Sequence, residues 1–313
     1  MSAALEVEQL SATLGGVPLV DAVSFQLLPG RLHALIGESG SGKSMTALAL
    51  TRLVPEGITL SGRVRLGGVE LPPLPKAQMR EVLGRGVSLM LQEPLAALNP
   101  VLTVQSHLVE ALQAHQALPK AQAIERAAKL LNEVGLSDEK RVLASYPHQL
   151  SGGMRQRVLL GAALAGEPKV LIADEPTTAL DASVRGVVLD LLRALAHRRG
   201  LAVLLLTHDL GVVQRACDEM SVMYAGRIVE HGTVSSVMSH PQHPYTAALL
   251  RARPTNVERG QRLDALEGTV PLPSERIEGC RFRPRCPFND GACLLRPELK
   301  SGVACHHPRG GLR

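Results

Sequence analysis

The sequence has no tryptophan and only three tyrosines and three phenylalanines, so aromatics make up 2% of its 313 residues. Its core is therefore expected to be aliphatic, which a 45% hydrophobic content can supply. No apolar run approaches the ~20 residues that a membrane-spanning helix requires. The longest candidates, such as "LAVLLL", have the length of strands. No basic stretch followed by an apolar one opens the chain, so no secretory leader is expected. Internal repeats are also lacking, which argues against a tandem array. The net charge of +5 is not spread over the chain. Residues 1–250 hold 22 basic and 22 acidic side chains, whereas residues 251–313 hold 12 and 7. A nucleic-acid patch on the tail and a solvated tail both fit that distribution, and only the first needs a partner. The length suits one large domain plus an extension.

What the sequence does have is glycine in two particular places. "RLHALI" reads as a buried strand and "SMTALALTRLV" as a helix. Between them Gly37-Glu38-Ser39-Gly40-Ser41-Gly42-Lys43-Ser44 fits G-x-x-x-x-G-K-[ST] at every fixed position. Glycines let backbone N–H groups turn inward around phosphate oxygens, and the helix N-terminus adds a favourable dipole. Lys43 is expected to reach the β- and γ-phosphates of ATP, and Ser44 to bind Mg²⁺. "VLIADE" supplies a second strand with Asp174 and Glu175 at its end. Asp174 is suited to hold Mg²⁺ through its water shell, and Glu175 to polarise a water for in-line attack on the γ-phosphate. Gln92, in "LMLQEP", and His208, after "LAVLLLT", end further expected strands. Either alone reads more readily as structural. Their placement makes them catalytic candidates, because strand ends of an open parallel sheet gather in one crevice.

Short strands are expected over residues 5–36, and "LPPLPKAQ" reads as a loop. Between Pro94 and Gly153 the pattern turns helical. "KAQAIERAAKLLNEVGL" places Ile124, Ala127, Ala128, Leu131 and Val134 on one face, with Gly135 as its C-cap. Buried strands and a hairpin at "SVMYAGRIVEHG" follow. From about Ser236 the proline, arginine and histidine content rises. The second glycine loop, Ser151-Gly152-Gly153, opens the apolar-periodic "MRQRVLLGAALA", with Ser151 as N-cap and exposed N–H groups behind it. This is a second anion site in a chain whose first loop already serves ATP.

With these motifs in this order, the sequence resembles the ATP-binding cassette superfamily over roughly residues 5–235. The resemblance implies an α/β fold, a P-loop NTPase with a RecA-like core, an antiparallel β subdomain and a helical signature subdomain. It divides the chain into a nucleotide-binding domain over 1–235 (helical subdomain about 94–158) and a C-terminal Cys-rich extension over 236–313. In that superfamily two cassettes close head to tail, so each ATP lies between one subunit's phosphate loop and the other's signature. Residue by residue, Gln92 resembles the Q-loop glutamine and Leu150–Met154 the signature, including Ser151, Gly152 and Gly153. Asp174 and Glu175 resemble Walker B, Asp181 in "TTALDAS" the D-loop, and His208 the switch histidine. Many members stack adenine on an early aromatic. The nearest position here is Leu14, so an apolar contact is expected.

"GESGSGKS", "LQEPLAALNP", "HPYTAALL" and "GCRFRPRCP" together resemble ATPase subunits of oligopeptide, dipeptide and nickel importers. That resemblance implies a second ATPase subunit, here a paralogous partner, two transmembrane permease subunits and an extracytoplasmic binding protein. It also implies a peripheral place on the cytoplasmic face of the membrane, and no nucleic acid. A soluble relative in DNA maintenance would separate phosphate loop from signature by a long coiled coil, and a translation factor would carry two cassettes. This sequence has neither feature. A P-loop kinase would have no use for "LSGGMRQRV".

Four of the five cysteines, Cys280, Cys286, Cys293 and Cys305, lie within 26 residues of the tail. A chain in the cytosol has no need of disulfides, so four clustered thiols point to metal. The spacing C-x5-C-x6-C-x11-C lacks the C-x-x-C knuckle of structural zinc, and Pro287 follows Cys286 as in some iron–sulfur ligand runs. A [4Fe–4S] cluster, zinc and unmetallated thiols all stay open on the residues alone. The resemblance implies the cluster, since members of that branch can carry one in this segment. Arg281, Arg283 and Arg285 are expected to offset thiolate charge.

Overall fold

The computed structural model describes residues 2–71, 79, 81–91, 97–178, 180–252 and 266–308. In chain order the described elements begin with β1 (Leu5–Leu14), β2 (Val17–Leu27), β3 (Leu32–Ile36), α1 (Lys43–Leu50), β4 (Ile58–Leu66), β5 (Val69–Glu70) and β6 (Val87–Met90). Four helices follow: α2 (Val104–His115), α3 (Lys120–Glu133), α4 (Glu139–Ala144) and α5 (Gly152–Ala163). Then come β7 (Val170–Asp174), α6 (Ala182–Arg199), β8 (Ala202–Thr207) and α7 (Leu210–Ala216). The last are β9 (Glu219–Tyr224), β10 (Arg227–Thr233), α8 (Val234–Ser239) and α9 (Pro244–Arg251). No described helix is long and apolar enough to cross a membrane.

The chain forms two compact units. The first comprises Met1–Leu5, Leu27–Leu32 and Arg65–Leu205. Its strands run β8-β7-β6, with β6 parallel to β7 from Val87↔Val170 to Met90↔Ala173. Every residue of β7 and β8 is buried, as in strands covered on both faces. The helices α2 to α5 pack on one another. Thr103 and Ser151 cap α2 and α5 by accepting from Ser106 N and Met154 N, both at 3.3 Å. The buried face of α3 is Ala123, Ala127, Leu130 and Leu131, and the expected Ile124 and Ala128 are only half-buried. The alanine-rich pattern allows two overlapping stripes. Packing against α2, α4 and α5 selects the one in which small Ala123 faces inward. Gly135 ends the helix with φ +75°.

The second unit comprises Glu6–Gln26, His33–Val64 and Leu206–Arg313. Here β3 runs parallel to β9 (His33↔Glu219 to Ile36↔Val222), and β9 pairs antiparallel with β10. The turn between β9 and β10 places Ala225 and Gly226 at φ +47° and +89°, both positive as a two-residue hairpin prefers. A second sheet contains β2, β1 and β4. The core is not wholly aliphatic, as composition suggested. Tyr224, Tyr245 and Phe282, half of the six aromatics, are fully buried in one cluster with ring centroids 4.6, 5.3 and 5.4 Å apart. Few rings suffice because they are concentrated, each supplying the area of about two aliphatic side chains. Cys280 and Cys286 of the tail pack against that cluster.

Polar anchors fix the tail to this unit. Asp21 in β2 accepts from Arg227 Nε at 2.9 Å, Arg281 Nη2 at 2.5 Å and Arg296 Nη1 at 3.2 Å. Burial alone would raise the Asp21 carboxyl, but Arg227 and Arg281 hold it below the usual range. Glu230 accepts from Gln242 N at 2.7 Å and His243 N at 2.9 Å, and His243 Nδ1 accepts from Tyr245 N at 3.1 Å. Burial pushes the His243 pKa down to about 3, so the ring stays neutral while capping α9.

Replacing Asp21 with Asn leaves Arg281 buried without its carboxylate, and should cost about 3 kcal/mol of stability near neutral pH. Because the folded carboxyl is depressed, its contribution is present above the unfolded pKa and lost as pH falls through the lower folded value. Thermal melts of Asp21→Asn and the natural protein should therefore begin to draw together below about pH 4 and coincide only beneath the depressed folded value. A gap that stays constant with pH would contradict the charge-pair account.

Candidate ATP site, signature loop and cysteine tail

In the second unit, Gly37 leaves β3 and the loop turns back over itself. A Cβ on Gly37 would lie 2.2 Å from the Met223 carbonyl oxygen, so only glycine passes β9 here. Ser41 N donates to the Glu38 carbonyl at 3.2 Å, and Gly226 N donates to the Ser41 carbonyl at 2.7 Å. Lys43 Nζ donates to the carbonyls of Gly37 at 2.8 Å and Glu38 at 3.1 Å. Gly42 stands at the start of α1 with φ 110° and gives that helix no side-chain cap. Ser39, Gly40 and Ser44 are exposed, and a Cβ on Gly40 would meet no atom within 4 Å. Buried Ser41 Oγ makes no hydrogen bond among the described residues. The exposed Ser39 and Gly40 of this loop leave room for a polyphosphate, and the exposed Ser44 hydroxyl fits Mg²⁺. Leu14 is 47% exposed, as an apolar surface for a base would have to be.

His208 also belongs to the second unit. It is exposed directly after β8, where Asp209 caps α7 by accepting from Gly211 N at 2.8 Å and Val212 N at 3.3 Å. That cap ends the strand and fixes where the histidine emerges.

The first unit carries the other candidates. Asp174 is buried at the end of β7, and Glu175 follows it in the left-handed region with φ +46°. A non-glycine residue there is strained, and the strain turns the glutamate out of the strand direction. Thr178 Oγ1 donates to the Glu175 carboxylate. Asp181 is exposed at the start of α6, where its carbonyl accepts from Arg185 N at 2.9 Å. Ser151 is exposed as the cap of α5, Gly152 is half-buried and Gly153 is buried. Arg157 Nε donates to the Gly153 carbonyl at 3.3 Å and its Nη1 to the Gly135 carbonyl at 2.8 Å, which ties the signature turn to the end of α3. Gln92 lies outside the described residues.

In the tail all four cysteines are free thiols. Cys305 interacts electrostatically with Cys280, Cys286 and Cys293, which places the four in one neighbourhood. Burial raises the Cys280, Cys286 and Cys305 thiols, the last to about 11. Backbone amides oppose this: those of Phe282 and Arg283 point at Cys280, that of Phe288 at Cys286 and that of His307 at Cys305. The expected role of the nearby arginines changes. Arg281 is committed to Asp21 and Arg285 to Glu38, and the cation that lowers Cys280 is Arg227. Carboxylates outcompete thiols for a guanidinium because they are already ionised. Sequence reading missed Asp21 and Arg227, which have no local pattern, and the role of Tyr245, although that residue lies in "HPYTAALL". The only signal was a rise in arginine without a matching rise in acid.

A glycine loop between a strand and a helix, together with acidic residues at the end of a buried strand, defines an NTPase of the phosphate-loop class. The chain belongs to the ABC transporter family, whose profile matches residues 20–178. It is accordingly an ATPase of that family. A second profile, the C-terminal region of oligopeptide/dipeptide transporters, matches residues 229–293. The oligopeptide transport ATP-binding protein AppD of Bacillus subtilis is 43% identical over 312 residues, covering 96% of this chain and 95% of its own. The dipeptide transport ATP-binding protein DppD of Escherichia coli is 39% identical over 317 residues, covering 98% and 97%. Among solved structures, cbiO1 from Clostridium perfringens, part of the ABC transporter complex cbiONQ, matches with TM-score 0.66 and 26% identity over 76% of this chain and 92% of that one.

A Cβ on Gly153 would lie 2.3 Å from Val184 Cγ1. Gly153→Ala should destabilise the protein by about 1–3 kcal/mol through overpacking. Adding Val184→Ala should restore most of that in denaturant melts. A loss that the second substitution leaves in place would show that the conflict lies elsewhere.

Proposed function

We propose that this chain is the ATP-binding and ATP-hydrolysing subunit of an importer of oligopeptides, dipeptides or a nickel or metallophore chelate. The observation that carries the reading is the joint match of cassette and tail, with relatives along nearly the whole chain whose names specify peptide import. It works with a second, paralogous ATPase subunit, two membrane-spanning permease subunits and an extracytoplasmic binding protein, on the cytoplasmic face of the membrane. The cassette occupies 1–235 and the extension 236–313.

At the site, Gly37, Ser39, Gly40, Ser41 and Gly42 present backbone amides to the phosphates, and Lys43 places its charge against the β- and γ-phosphates. Ser44, Asp174 and Gln92 are the residues that would hold Mg²⁺, which neutralises charge developing on the transferred phosphoryl group. Glu175 accepts a proton from the attacking water, and His208 orients the γ-phosphate side of that reaction. Ser151, Gly152, Gly153 and Asp181 act on the partner's ATP, Ser151 through its exposed hydroxyl at the start of α5. The glutamate's turned-out position at a buried strand end supports its role as base.

Glu175→Gln should keep ATP binding while lowering turnover by about 10²–10⁴. Near-normal hydrolysis by the assembled complex would remove Glu175 from the role of base.

For the tail we propose that Cys280, Cys286, Cys293 and Cys305 hold one [4Fe–4S] cluster with a structural role. Half-buried sulfurs that receive backbone N–H groups suit thiolates bound to iron, since the amides stabilise charge that burial opposes. Zinc held by these four thiols alone fits less well. A tetrahedral Zn–S length of ~2.3 Å requires the sulfurs to be within about 4 Å of each other. Among the described residues the donor atoms lying within 4.8 Å of one another are instead those of Asp290, Cys293 and His307. A cluster with each sulfur on a different iron accepts a wider set. Anaerobically purified protein should contain about four irons and four labile sulfides per chain. Colourless protein with one zinc per chain would favour the alternative, and metal-free protein with an ordered tail would exclude both.

A further inference from the structure

Glu38, the second residue of the phosphate loop, is gripped by two residues distant in sequence. Its backbone N–H donates to Tyr245 Oη in α9 at 3.0 Å. Its carboxylate accepts from Arg285 at two points, Nη1 to Oε2 at 2.9 Å and Nη2 to Oε1 at 3.3 Å. Such a fork fixes orientation as well as distance, which a lysine could not do. Arg285 is itself locked. Its Nε donates to the Glu267 carbonyl at 2.8 Å and its Nη2 to that of Gly268 at 3.1 Å. The guanidinium stands 5.7 Å from the centre of the Tyr224 ring, and the side chain is 8% exposed. The same Glu38 carbonyl that accepts from Ser41 N also accepts from Lys43 Nζ, so whatever fixes Glu38 also bears on the lysine.

Three sequence stretches, "GESGSGKS", "HPYTAALL" and "GCRFRPRCP", thus meet at one residue, Glu38, through its backbone N–H and its carboxylate. We propose that Arg285 is a positioning residue for nucleotide binding: with Tyr245 it presets the phosphate loop through Glu38, so ATP affinity depends on the folded tail. The proposal rests on the reading of Gly37–Ser44 as the ATP phosphate cradle. Two effects act in the same direction. Ordering the loop before ATP arrives removes an entropic cost from binding. Arg285 also cancels a negative charge that the loop would otherwise present to an anionic ligand.

The second effect gives a signature that a purely structural contact would lack. In the full chain, titrated with a fluorescent ATP analogue and Mg²⁺, Arg285→Gln should weaken binding about tenfold, because it loosens the loop and bares Glu38. Glu38→Gln should weaken binding about two- to threefold, because it loosens the loop only. The double variant Arg285→Gln/Glu38→Gln should recover to within about twofold of Glu38→Gln. In the assembled complex, the fall in kcat/KM of Arg285→Gln should be carried by KM for ATP. The proposal is overturned if Arg285→Gln binds as the natural protein does, or if the two losses multiply in the double variant. Should Arg285→Gln fail to fold, Glu38→Gln leaves the tail's own core untouched, and unchanged affinity there overturns the proposal. Lys43→Ala separates the underlying reading: retained binding in that variant would overturn the cradle itself, whereas lost binding together with the pattern above supports both.

Discussion

A guanidinium cannot shed its proton to enter a protein, so every buried arginine must find an anion or carbonyls to face. That constraint organises the second unit. Asp21 gathers Arg227, Arg281 and Arg296, and Glu38 takes Arg285. The Asp21–Arg281 and Glu38–Arg285 pairs span 260 and 247 residues of sequence. Burial lowers the Arg281 pKa to about 10, which measures how strongly the environment opposes the charge that Asp21 compensates. The tail contributes little apolar area of its own. Its Phe282, Cys280 and Cys286 enter a core already formed by Tyr224, Tyr245 and Val222, and the arginines set the register of that insertion.

The proposed chemistry is distributed differently. Each phosphate-handling group is placed by a local device: a glycine where β9 leaves no room for a side chain, a serine cap at the start of α5, an aspartate cap just beyond His208, and a left-handed turn at Glu175. Such devices need only a few neighbouring residues and therefore leave a spacing that can be read in the sequence. The tail links the two kinds of order. Residues that serve long-range charge compensation also hold the loop that local rules shaped.

The cysteines show a similar balance. Burial makes three of the thiols harder to ionise, Cys280 and Cys286 among them against the aromatic cluster, while amides from the same short turns stabilise negative sulfur. A metal-free tail keeps them protonated. A bound cation would reverse that preference and draw on amides already in position.

The sequence by itself determined the phosphate loop, the strand-end carboxylates, the signature cap and the grouping of four cysteines, because each depends on residues within a few positions of one another. It also determined the α/β class, since the fully buried runs of β3, β7 and β8 have no other stable place. Where two local patterns overlapped, as in α3, only packing against α2, α4 and α5 decided which face was buried. The partners of Arg281 and Arg285 were decided by tertiary structure alone. In sequence they stand among the cysteines and look like counterions to thiolate. In the folded chain β2 and the phosphate loop bring carboxylates to them, and an ionised carboxylate binds a guanidinium more strongly than a protonated thiol can.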